Sequence, residues 1–409
     1  MEKIMVVNTG SSSLKFQLIN MPMNEDQEQP VVLIEGGFER IGIENPALTI
    51  KWGPADARQK EERILTIKNH SDAVVVLKDL LLEKGIVKDL HEIAGVGHRF
   101  VHGGVNFIDP VVLTPEVLAE LETVIDFAPV HNDAHIKGIK GFYEALPDVL
   151  QVIVFDTAFH KTMPDEAYRY ACPKEWYDNY KIRKYGFHGT SHKYVSQEAA
   201  KVLGRPVEEL RIVTAHLGNG ASLCAVKYGE CVDTSMGFTP LDGLPMGTRS
   251  GVIDPSCLDF VAQKEGKTTH ELIEILNKKS GYFGFTGKSD ARDVRQMQQD
   301  GVYEADLIIR MQEKKIADFV SSYYGYMGGC DALVFTAGIG EKSPQTRFNV
   351  CERLKEAFGI EIDAEKNQVW GETAIVSKPT SKVAVLVIPT NEELMIAREV
   401  MKFKKELNK

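Results

Sequence analysis

Three glycine-containing segments offer groups that could bind phosphate, and each follows a short apolar run. The first holds Asn8, Gly10 and Lys15 among serines, the second spans residues 216–220 and the third spans residues 338–341. Backbone N–H groups, hydroxyls and a lysine in such turns form concave sets of donors for phosphate oxygens. A single turn of this kind is usually only a turn. Three of them after three apolar strands favour one nucleotide held between two lobes.

Two arginines and several carboxylates could also do chemistry. Arg99 lies just before a pair of glycines, and Arg249 lies between two glycines. A guanidinium that the backbone does not crowd suits bidentate contact with carboxylate or phosphate, although each arginine alone could be an exposed loop residue. Asp156 ends a buried apolar run, where a carboxylate caps, pairs or acts. Glu392 and Glu393 could simply be acids favoured in the first turn of a helix.

Other patterns argue against several common sites. The segment 287–289 ends like a P-loop, but Tyr282 stands where that motif needs glycine. The two Gly-x-Gly segments lack the third glycine of a dinucleotide fingerprint. None of the three His-x-x-x-His pairs has the glutamate of the metalloprotease motif, and the pairs at His98 and His188 run into glycines, outside helix interiors. A P-loop enzyme, a Rossmann dehydrogenase and a zinc hydrolase are therefore disfavoured.

The elements that must position these residues belong to an ordinary globular chain. It has 409 residues, 43% of them hydrophobic, and a formal net charge of −10. Domains of roughly 100–200 residues predict two of them here. The acidic balance argues against a general nucleic-acid binder, and no signal segment or membrane-spanning run is visible. Six cysteines without a C-x-x-C pair suit reduced core thiols of a cytoplasmic protein rather than zinc ligands or disulfides.

Hydrophobic periodicity predicts two halves of similar design. Each opens as strand, glycine turn and strand, and then continues into helices. The predicted strands are 4–7, 14–19, 31–38, 47–52, 63–68, 93–96, 149–155, 211–215, 222–227, 332–336 and 383–388. The predicted helices are 70–84, 115–127, 132–146, 255–265, 268–279, 291–299, 303–327, 344–358 and 392–405. The repeated pattern fits a duplicated nucleotide-binding unit, unless two hairpins look alike by chance.

Nine segments taken together, in this order along the chain, resemble the acetokinase family of short-chain acyl kinases. They are residues 8–15, 98–104, 155–160, 185–192, 216–220, 246–251, 289–292, 337–341 and 390–393. The resemblance implies an α/β fold of the duplicated actin-like ATPase type, with nucleotide and substrate in the cleft between two related domains. The implied domains are 1–157, completed by the C-terminal helix 390–409, and 158–389, which carries most of the nucleotide site and a dimer interface.

The resemblance also implies roles for individual residues. Asn8 and Glu392 are implied as the site of Mg²⁺, for which Mn²⁺ could substitute. His188 and Arg249 are implied as stabilisers of the transition state, and Asp156 as the catalytic carboxylate. Acetate is already ionised at neutral pH and needs no base, so the task of Asp156 stays open between orienting Mg²⁺ and orienting an arginine.

Substrate and nucleotide contacts follow from the same resemblance. The implied substrate residues are Arg99, Val101, His131, Phe187 and Pro240, and with Val130 the apolar members leave room for little beyond a methyl group. The implied nucleotide residues are Lys15, His216, Leu217, Gly218, Asn219, Gly220, Asp290, Ala291, Arg292, Gly338, Ile339, Gly340, Glu341 and Lys342. Two positions depart from the family pattern. Thr9 stands where Ala or Cys is commoner, and Lys342 stands where Asn is usual.

The implied reaction is a reversible, Mg-dependent transfer of a phosphoryl group from ATP to acetate, giving ADP and acetyl phosphate by direct in-line attack. Propionate or butyrate as the acceptor is the alternative. The implied protein is a cytoplasmic homodimer without nucleic-acid or membrane partners. A rival of another class is an ATPase switch of the actin or chaperone type, but 409 residues leave no room for the separate domain it needs. A metal-dependent hydrolase is a further rival, and stoichiometric zinc would favour it.

Overall fold

The computed structural model describes residues 1–25, 27–127 and 129–407, without the side chains of residues 126 and 129–131. The described strands are β1 Glu2–Gly10, β2 Ser13–Met21, β3 Val31–Glu39, β4 Ala47–Trp52, β5 Gln59–Ile64, β6 Ile93–Phe100, β7 Val111–Val112, β8 Gln151–Phe155, β9 Arg211–Leu217, β10 Ala221–Lys227, β11 Glu230–Thr234, β12 Ala332–Thr336, β13 Ala374–Ile375 and β14 Ala384–Val387. The described helices are α1 His70–Glu83, α2 Pro115–Thr123, α3 Pro129–Ala145, α4 Asp165–Tyr168, α5 Lys174–Tyr180, α6 Gly189–Leu203, α7 Ser256–Glu265, α8 Thr269–Lys278, α9 Gly281–Thr286, α10 Ala291–Gln299, α11 Tyr303–Met327, α12 Ala337–Lys342, α13 Pro344–Phe358 and α14 Glu392–Leu407.

The chain divides into two compact units. Unit 1 contains Met1–Ala158 and the C-terminal segment Asn391–Lys409, and unit 2 contains Phe159–Thr390. Each unit has its own sheet with helices packed on it, so the expected α/β class is confirmed. None of the described helices has the length and apolar character needed to span a bilayer.

The two sheets share a common six-stranded topology, which β4 and β5 extend in unit 1. In unit 1 the strand order is β5-β4-β3-β2-β1-β6-β8-β7, and in unit 2 it is β11-β10-β9-β12-β14-β13. In both, the first three strands of the unit form an antiparallel meander, two later strands join in parallel, and a short strand closes one edge antiparallel. The predicted internal duplication is therefore present in the backbone, although the two halves share few residues.

The C-terminal helix α14 completes the core of unit 1. Ile396, Val400 and Met401 are buried together with residues of β1, β2 and β8. A Cβ atom added to Gly97 of β6 would lie 2.4 Å from Cγ2 of Ile396, and one added to Gly95 would lie 2.6 Å from Cγ1 of Val400. The two glycines therefore let the helix lie directly against the sheet.

The first hairpin is longer than the sequence predicted. The β1–β2 ladder continues to the pair Gly10↔Ser13, leaving only residues 11–12 as the turn. Asn8 therefore lies in a strand opposite Lys15, and Thr9 is buried against Gly138 of α3 rather than decorating a turn. The charged edge strand β5 also lies at residues 59–64 instead of 63–68.

The predicted surroundings of Arg99 are wrong. Instead of a glycine-rich turn after a short strand, β6 runs on to Phe100 because it is paired with β1 on one side and β8 on the other. His98 is buried in this strand beside Gln151, with Nε2 2.8 Å from the amide oxygen, and burial lowers its pKa to about 4. The segment 338–341 is likewise wrong as a turn, since it lies in the short helix α12.

One of two further expectations needs correction. His188 lies outside the interior of a helix, as expected, because it is the left-handed N-cap residue of α6, which begins at Gly189. The cysteines are all free thiols, but Cys172 and Cys257 are exposed, so only the other four are core thiols.

Candidate active site

In unit 1 a buried ion pair joins two parallel strands. Arg99 lies opposite Val154 of β8, and the N–H of Asp156 donates to the carbonyl of Phe100, so Asp156 extends the same ladder. Arg99 donates from Nε to Oδ1 of Asp156 at 2.9 Å and from Nη2 to Oδ2 at 2.6 Å. The Asp156 side chain is only 2% exposed. This bidentate geometry fixes the guanidinium plane.

Glu392, the first residue of α14, adds a second carboxylate. Its Oε2 lies 3.9 Å from Nε of Arg99. Burial raises the pKa of Glu392 to about 7, since the attraction of Arg99 is partly cancelled by repulsion from Asp156 and Glu393. Burial disfavours the charge on Arg99, but Asp156 and Glu392 outweigh it and hold its pKa above the ordinary value. The carboxylates of Asp156, Glu392 and Glu393 together carry more charge than the single Arg99 guanidinium. The remaining negative charge could be neutralised by a hard cation.

A cavity of about 210 Å³ opens beside this pair. Its lining includes Asn8, Lys15, Arg99 and Val101, all four predicted as site residues, together with His135 of α3. Asn8 and Lys15 face it together because they are direct partners in the β1–β2 ladder. The cavity is small and has the cationic side chains of Lys15 and Arg99 at its wall, so it suits a short carboxylate or a phosphate oxygen. The side chains of Val130 and His131 lie outside the described residues.

In unit 2 two histidines contact one serine, and a third histidine stacks on the first of them. His188 has φ 58° at the start of α6, and its Nδ1 lies 2.9 Å from Oγ of Ser222. The same hydroxyl lies 2.8 Å from Nε2 of His192, whose pKa burial lowers well below the ordinary value. The ring of His216 stacks on that of His188, with centroids 4.2 Å apart and planes at 16°. Ser222 thus fixes the orientation of the His188 ring through Nδ1, and Nε2 lies on the side of Gly220.

Arg249 differs from Arg99 in having no carboxylate ion pair among the described residues. Its Nη1 donates to the carbonyl of Pro240 at 3.3 Å, and burial lowers its pKa. A Cβ added to Gly220 would lie 3.1 Å from Nε2 of His188 and 3.5 Å from Nη1 of Arg249. The imidazole, the guanidinium and the bare backbone of the β9–β10 turn therefore converge. The side chain of Phe187, a predicted substrate residue, is buried and therefore offers almost no exposed surface to a ligand.

The residue directly before the segment 338–342 has a strained backbone conformation. Ala337 has φ 62°, and the carboxylate of Glu341 accepts its N–H at 2.8 Å. The same Oε1 accepts the N–H of Thr390 at 3.1 Å, and Thr390 shares a hydroxyl contact of 2.7 Å with Ser191. Ser191 in turn lies 2.8 Å from Nδ1 of His216. The Glu341 carboxylate is thus engaged with backbone, whereas Gly338 is exposed and has open space above it.

The remaining predicted nucleotide residues begin α10. Asp290 caps the helix, accepting the N–H of Arg292 at 2.8 Å, and also binds the Arg292 guanidinium through both oxygens. These hydrogen bonds lower the pKa of Asp290 to about 2. The Arg292 side chain is 90% exposed. Ala291 is the first residue of the helix, and Lys342, at the end of α12, is exposed.

Comparison with known proteins identifies a family for this chain. The acetokinase family model matches residues 3–398. The acetate kinase of Bacillus cytotoxicus is 50% identical over 403 residues, covering 98% of this chain and 99% of the relative. The chain belongs to the acetokinase family. It has the duplicated actin-like α/β fold of that family.

Solved structures extend the comparison. The acetate kinase of Porphyromonas gingivalis superposes with a TM-score of 0.92 at 42% identity, covering 98% of this chain and 99% of its own. A propionate kinase from Francisella tularensis superposes with a TM-score of 0.88 at the same identity and coverage. The acetokinase family thus includes relatives named for two different acids.

Within this acetokinase, several residues around the site were not singled out from the sequence. Ser222 lies on β10 and binds two histidines, and Ser191 links His216 to Thr390. Glu393, which the sequence also allowed as a simple first-turn acid, lines a groove next to Asn8 and Lys15. Serine and threonine hydroxyls give no sequence signal of their own. Ser191 does lie one position before His192 in a matching segment, which could have pointed to it.

Proposed function

We propose that this chain is an acetate kinase, transferring a phosphoryl group reversibly between ATP and acetate. Near full-length similarity to acetate kinases at 50% identity supports the reaction. The observation that carries its chemistry is the convergence of His188, Gly220 and Arg249 in unit 2, with Arg249 free of any described carboxylate. An unpaired, partly buried guanidinium beside an imidazole suits a phosphoryl group in transfer.

The acceptor needs no base, because a carboxylate is already ionised at neutral pH. The obstacle is the approach of one anion to another. We infer that Arg99 binds the acetate carboxylate at the 210 Å³ cavity and that Val101 covers the methyl group. Arg249 and His188 then stabilise the charge on the transferring group, so catalysis consists of positioning and electrostatics without a phosphoenzyme.

Asp156 acts in this proposal as the residue that orients Arg99. Both of its oxygens accept hydrogen bonds from that guanidinium, and its side chain is almost wholly buried. A carboxylate held this way is poorly placed to move a proton. Of the two tasks left open by the sequence, we therefore propose that Asp156 orients an arginine rather than Mg²⁺.

We propose that Asn8 and Glu392 hold Mg²⁺. The fit rests on the carboxylate of Glu392, which is desolvated and accepts no hydrogen bond from any described residue beyond its 3.9 Å approach to Arg99. Hard oxygen ligands of this kind suit magnesium, with manganese as a substitute. When bound, the ion neutralises charge on the nucleotide phosphates. Lys15, opposite Asn8, adds a cation on the same face of the sheet.

For the nucleotide we propose the backbone around residues 216–220, 290–292 and 338–342 together with Lys15. Open backbone at Gly338 and an exposed Arg292 support direct approach by a ligand. We propose that Glu341 supports the backbone of this site rather than binding the nucleotide, because its carboxylate already accepts the N–H groups of Ala337 and Thr390.

One assay tests the reaction and the acid together. Purified protein with Mg-ATP and hydroxylamine should give acyl hydroxamate with acetate, less with propionate and least with butyrate. A kcat/KM for propionate above that for acetate would favour the second candidate, which the Francisella tularensis relative makes specific. Absence of hydroxamate with all three acids would contradict the proposed function.

We also propose that the protein is a cytoplasmic homodimer joined through unit 2. Val252, Ile253 and Phe260 are exposed there and lie close in sequence, with Phe260 63% exposed on α7. Light scattering on the eluted protein should give twice the mass of one chain. A Phe260→Asp variant should shift this toward a single chain, whereas Tyr228→Asp, at another exposed aromatic, should not.

A further inference from the structure

A cluster of three potential metal ligands lies in unit 2, apart from the residues given roles above. His160, Cys224 and Cys231 are all fully buried. Nδ1 of His160 is 3.1 Å from Sγ of Cys231 and 4.0 Å from Sγ of Cys224, and the two sulfur atoms are 3.4 Å apart. The two cysteines belong to neighbouring strands, β10 and β11, and His160 follows β8.

The tautomer of His160 is fixed by a backbone group. Nε2 lies 2.9 Å from the carbonyl oxygen of Phe187, which can only accept, so Nε2 carries the proton. Nδ1 therefore directs its lone pair at the two thiols. Metal-binding histidines are commonly oriented in this way, with the second ring nitrogen donating to a carbonyl or carboxylate.

We propose that His160, Cys224 and Cys231 bind one zinc-class cation, Zn²⁺ or its softer analogue Cd²⁺, as a closed structural site. The three measured separations place a point roughly 2.1 Å from each donor atom, close to Zn–N and Zn–S lengths of about 2.0–2.3 Å. The ligands can therefore meet a metal with almost no movement. Thiolates and imidazole exclude Mg²⁺ as the occupant, because that ion prefers oxygen.

The charge balance suits a buried site. Binding forms two metal–sulfur bonds and one metal–nitrogen bond and releases both thiol protons to solvent, so a dication meets two thiolates and the site is neutral. The carbonyl oxygen of Asp233, 3.6 Å from Sγ of Cys231, is a candidate fourth ligand.

The test uses full-length protein in which the exposed Cys172 and Cys257 are replaced by serine, so that surface thiols do not bind metal. Reduced, chelator-treated protein is titrated with Cd²⁺, and the thiolate-to-cadmium absorption band is recorded. We expect one equivalent bound, a rise in Tm, and no displacement by excess Mg²⁺. Cys231→Ser should weaken binding at least ~100-fold, since even partners of ligands change affinity by roughly 10–100-fold.

Cys351→Ser is the matched control, because Cys351 is equally buried and is not part of the cluster. It should keep the band and the affinity. If a serine variant of either cysteine in the cluster fails to fold, the corresponding alanine variant, Cys224→Ala or Cys231→Ala, is used in its place.

Two results would overturn the proposal. The first is the absence of binding by the parent protein, and the second is a band that survives loss of either cysteine of the cluster.

Discussion

Arg99 and Arg249 are both partly buried arginines, but their surroundings are opposite. Arg99 in unit 1 is locked by both oxygens of Asp156 and lies near Glu392, so its charge is more than balanced before any ligand arrives. Arg249 in unit 2 contacts the carbonyl of Pro240 and the sulfur of Met246 and has no carboxylate partner among the described residues. The first arrangement suits rigid recognition of a small anion beside a cation site. The second suits stabilisation of charge that appears during the reaction.

The largest effect is expected at Arg249. Arg249→Ala should lower kcat by roughly 10³-fold or more, the scale on which arginines act in phosphoryl transfer. Tm should stay within about 2 °C, because no buried carboxylate is left unpaired. Steady-state kinetics and thermal unfolding check both points. Arg310→Ala, at an exposed arginine of α11, is the control and should change neither. Near-parental kcat would remove Arg249 from the chemistry.

Arg99→Ala should separate the two arginines by stability as well as activity. We expect kcat/KM for acetate to fall by roughly 10²-fold or more, as for a lost charged contact worth about 3 kcal/mol. The loss also strands Asp156. Removing one partner of a buried ion pair costs roughly 3–5 kcal/mol, reduced here because Arg99 is 21% exposed. Tm should therefore fall for Arg99→Ala, and restoring it with Arg99→Ala/Asp156→Asn would confirm the cause. Equal Tm values for Arg99→Ala and Arg249→Ala would contradict the proposed difference between the surroundings of the two arginines.

Glu392→Gln tests whether the negative charge of the carboxylates around Arg99 in unit 1 binds the metal. The variant keeps the shape but loses the charge, so the Mg²⁺ concentration giving half-maximal activity should rise roughly 10–100-fold. Glu399→Gln, seven residues further along α14, is a control on the same helix. Unchanged magnesium dependence in Glu392→Gln would assign the ion elsewhere.

Gly338→Ala probes the open backbone of unit 2. An added methyl group meets no protein atom within 4 Å, so the fold should be unaffected. If ATP approaches there, its KM should rise roughly tenfold or more, equivalent to about 1.4 kcal/mol. Gly325→Ala is matched, being another exposed helical glycine with open space. The same KM in both variants would place the nucleotide away from α12.

The smallest effect is expected at Val101, in the wall of the unit 1 cavity. Val101→Ala should raise the ratio of kcat/KM for propionate over acetate, because one methylene is worth about 1–3 kcal/mol in a fitted pocket. The ratio is the quantity to measure, since the change can also loosen Arg99. A constant ratio would show that Val101 does not select the acid.

Strong periodicity made some elements predictable. The helices α10, α11 and α13 and the strands β4 and β12 lie where the apolar pattern placed them. The helix α6 was missed because its buried face is made of small and polar residues, among them Thr190, Ser191 and His192. Those residues serve the site instead of the apolar core, so they carry no hydrophobic period.

The candidate site was predictable in composition but not in local geometry. Arginine, histidine and glycine types were visible in order along the chain. That Arg99 is an inner-strand residue depends on pairing of β6 with β1 and β8, which lie far away in sequence. The engagement of Glu341 with Thr390 likewise joins residues 49 positions apart. Such contacts depend on tertiary structure, so the local pattern of residues in the sequence does not predict them.

The position of α14 against Gly95 and Gly97 has a consequence for synthesis on the ribosome. Unit 1 begins to emerge first, yet the helix that covers its sheet is translated only after all of Phe159–Thr390. At roughly 5–20 residues per second, the intervening segment delays that helix by roughly 10–50 s. Unit 2, which is continuous in the chain, can fold during this interval. The nascent chain meanwhile exposes the apolar surface around Ile4 and Val154 that α14 later buries, which makes it a natural client for chaperones.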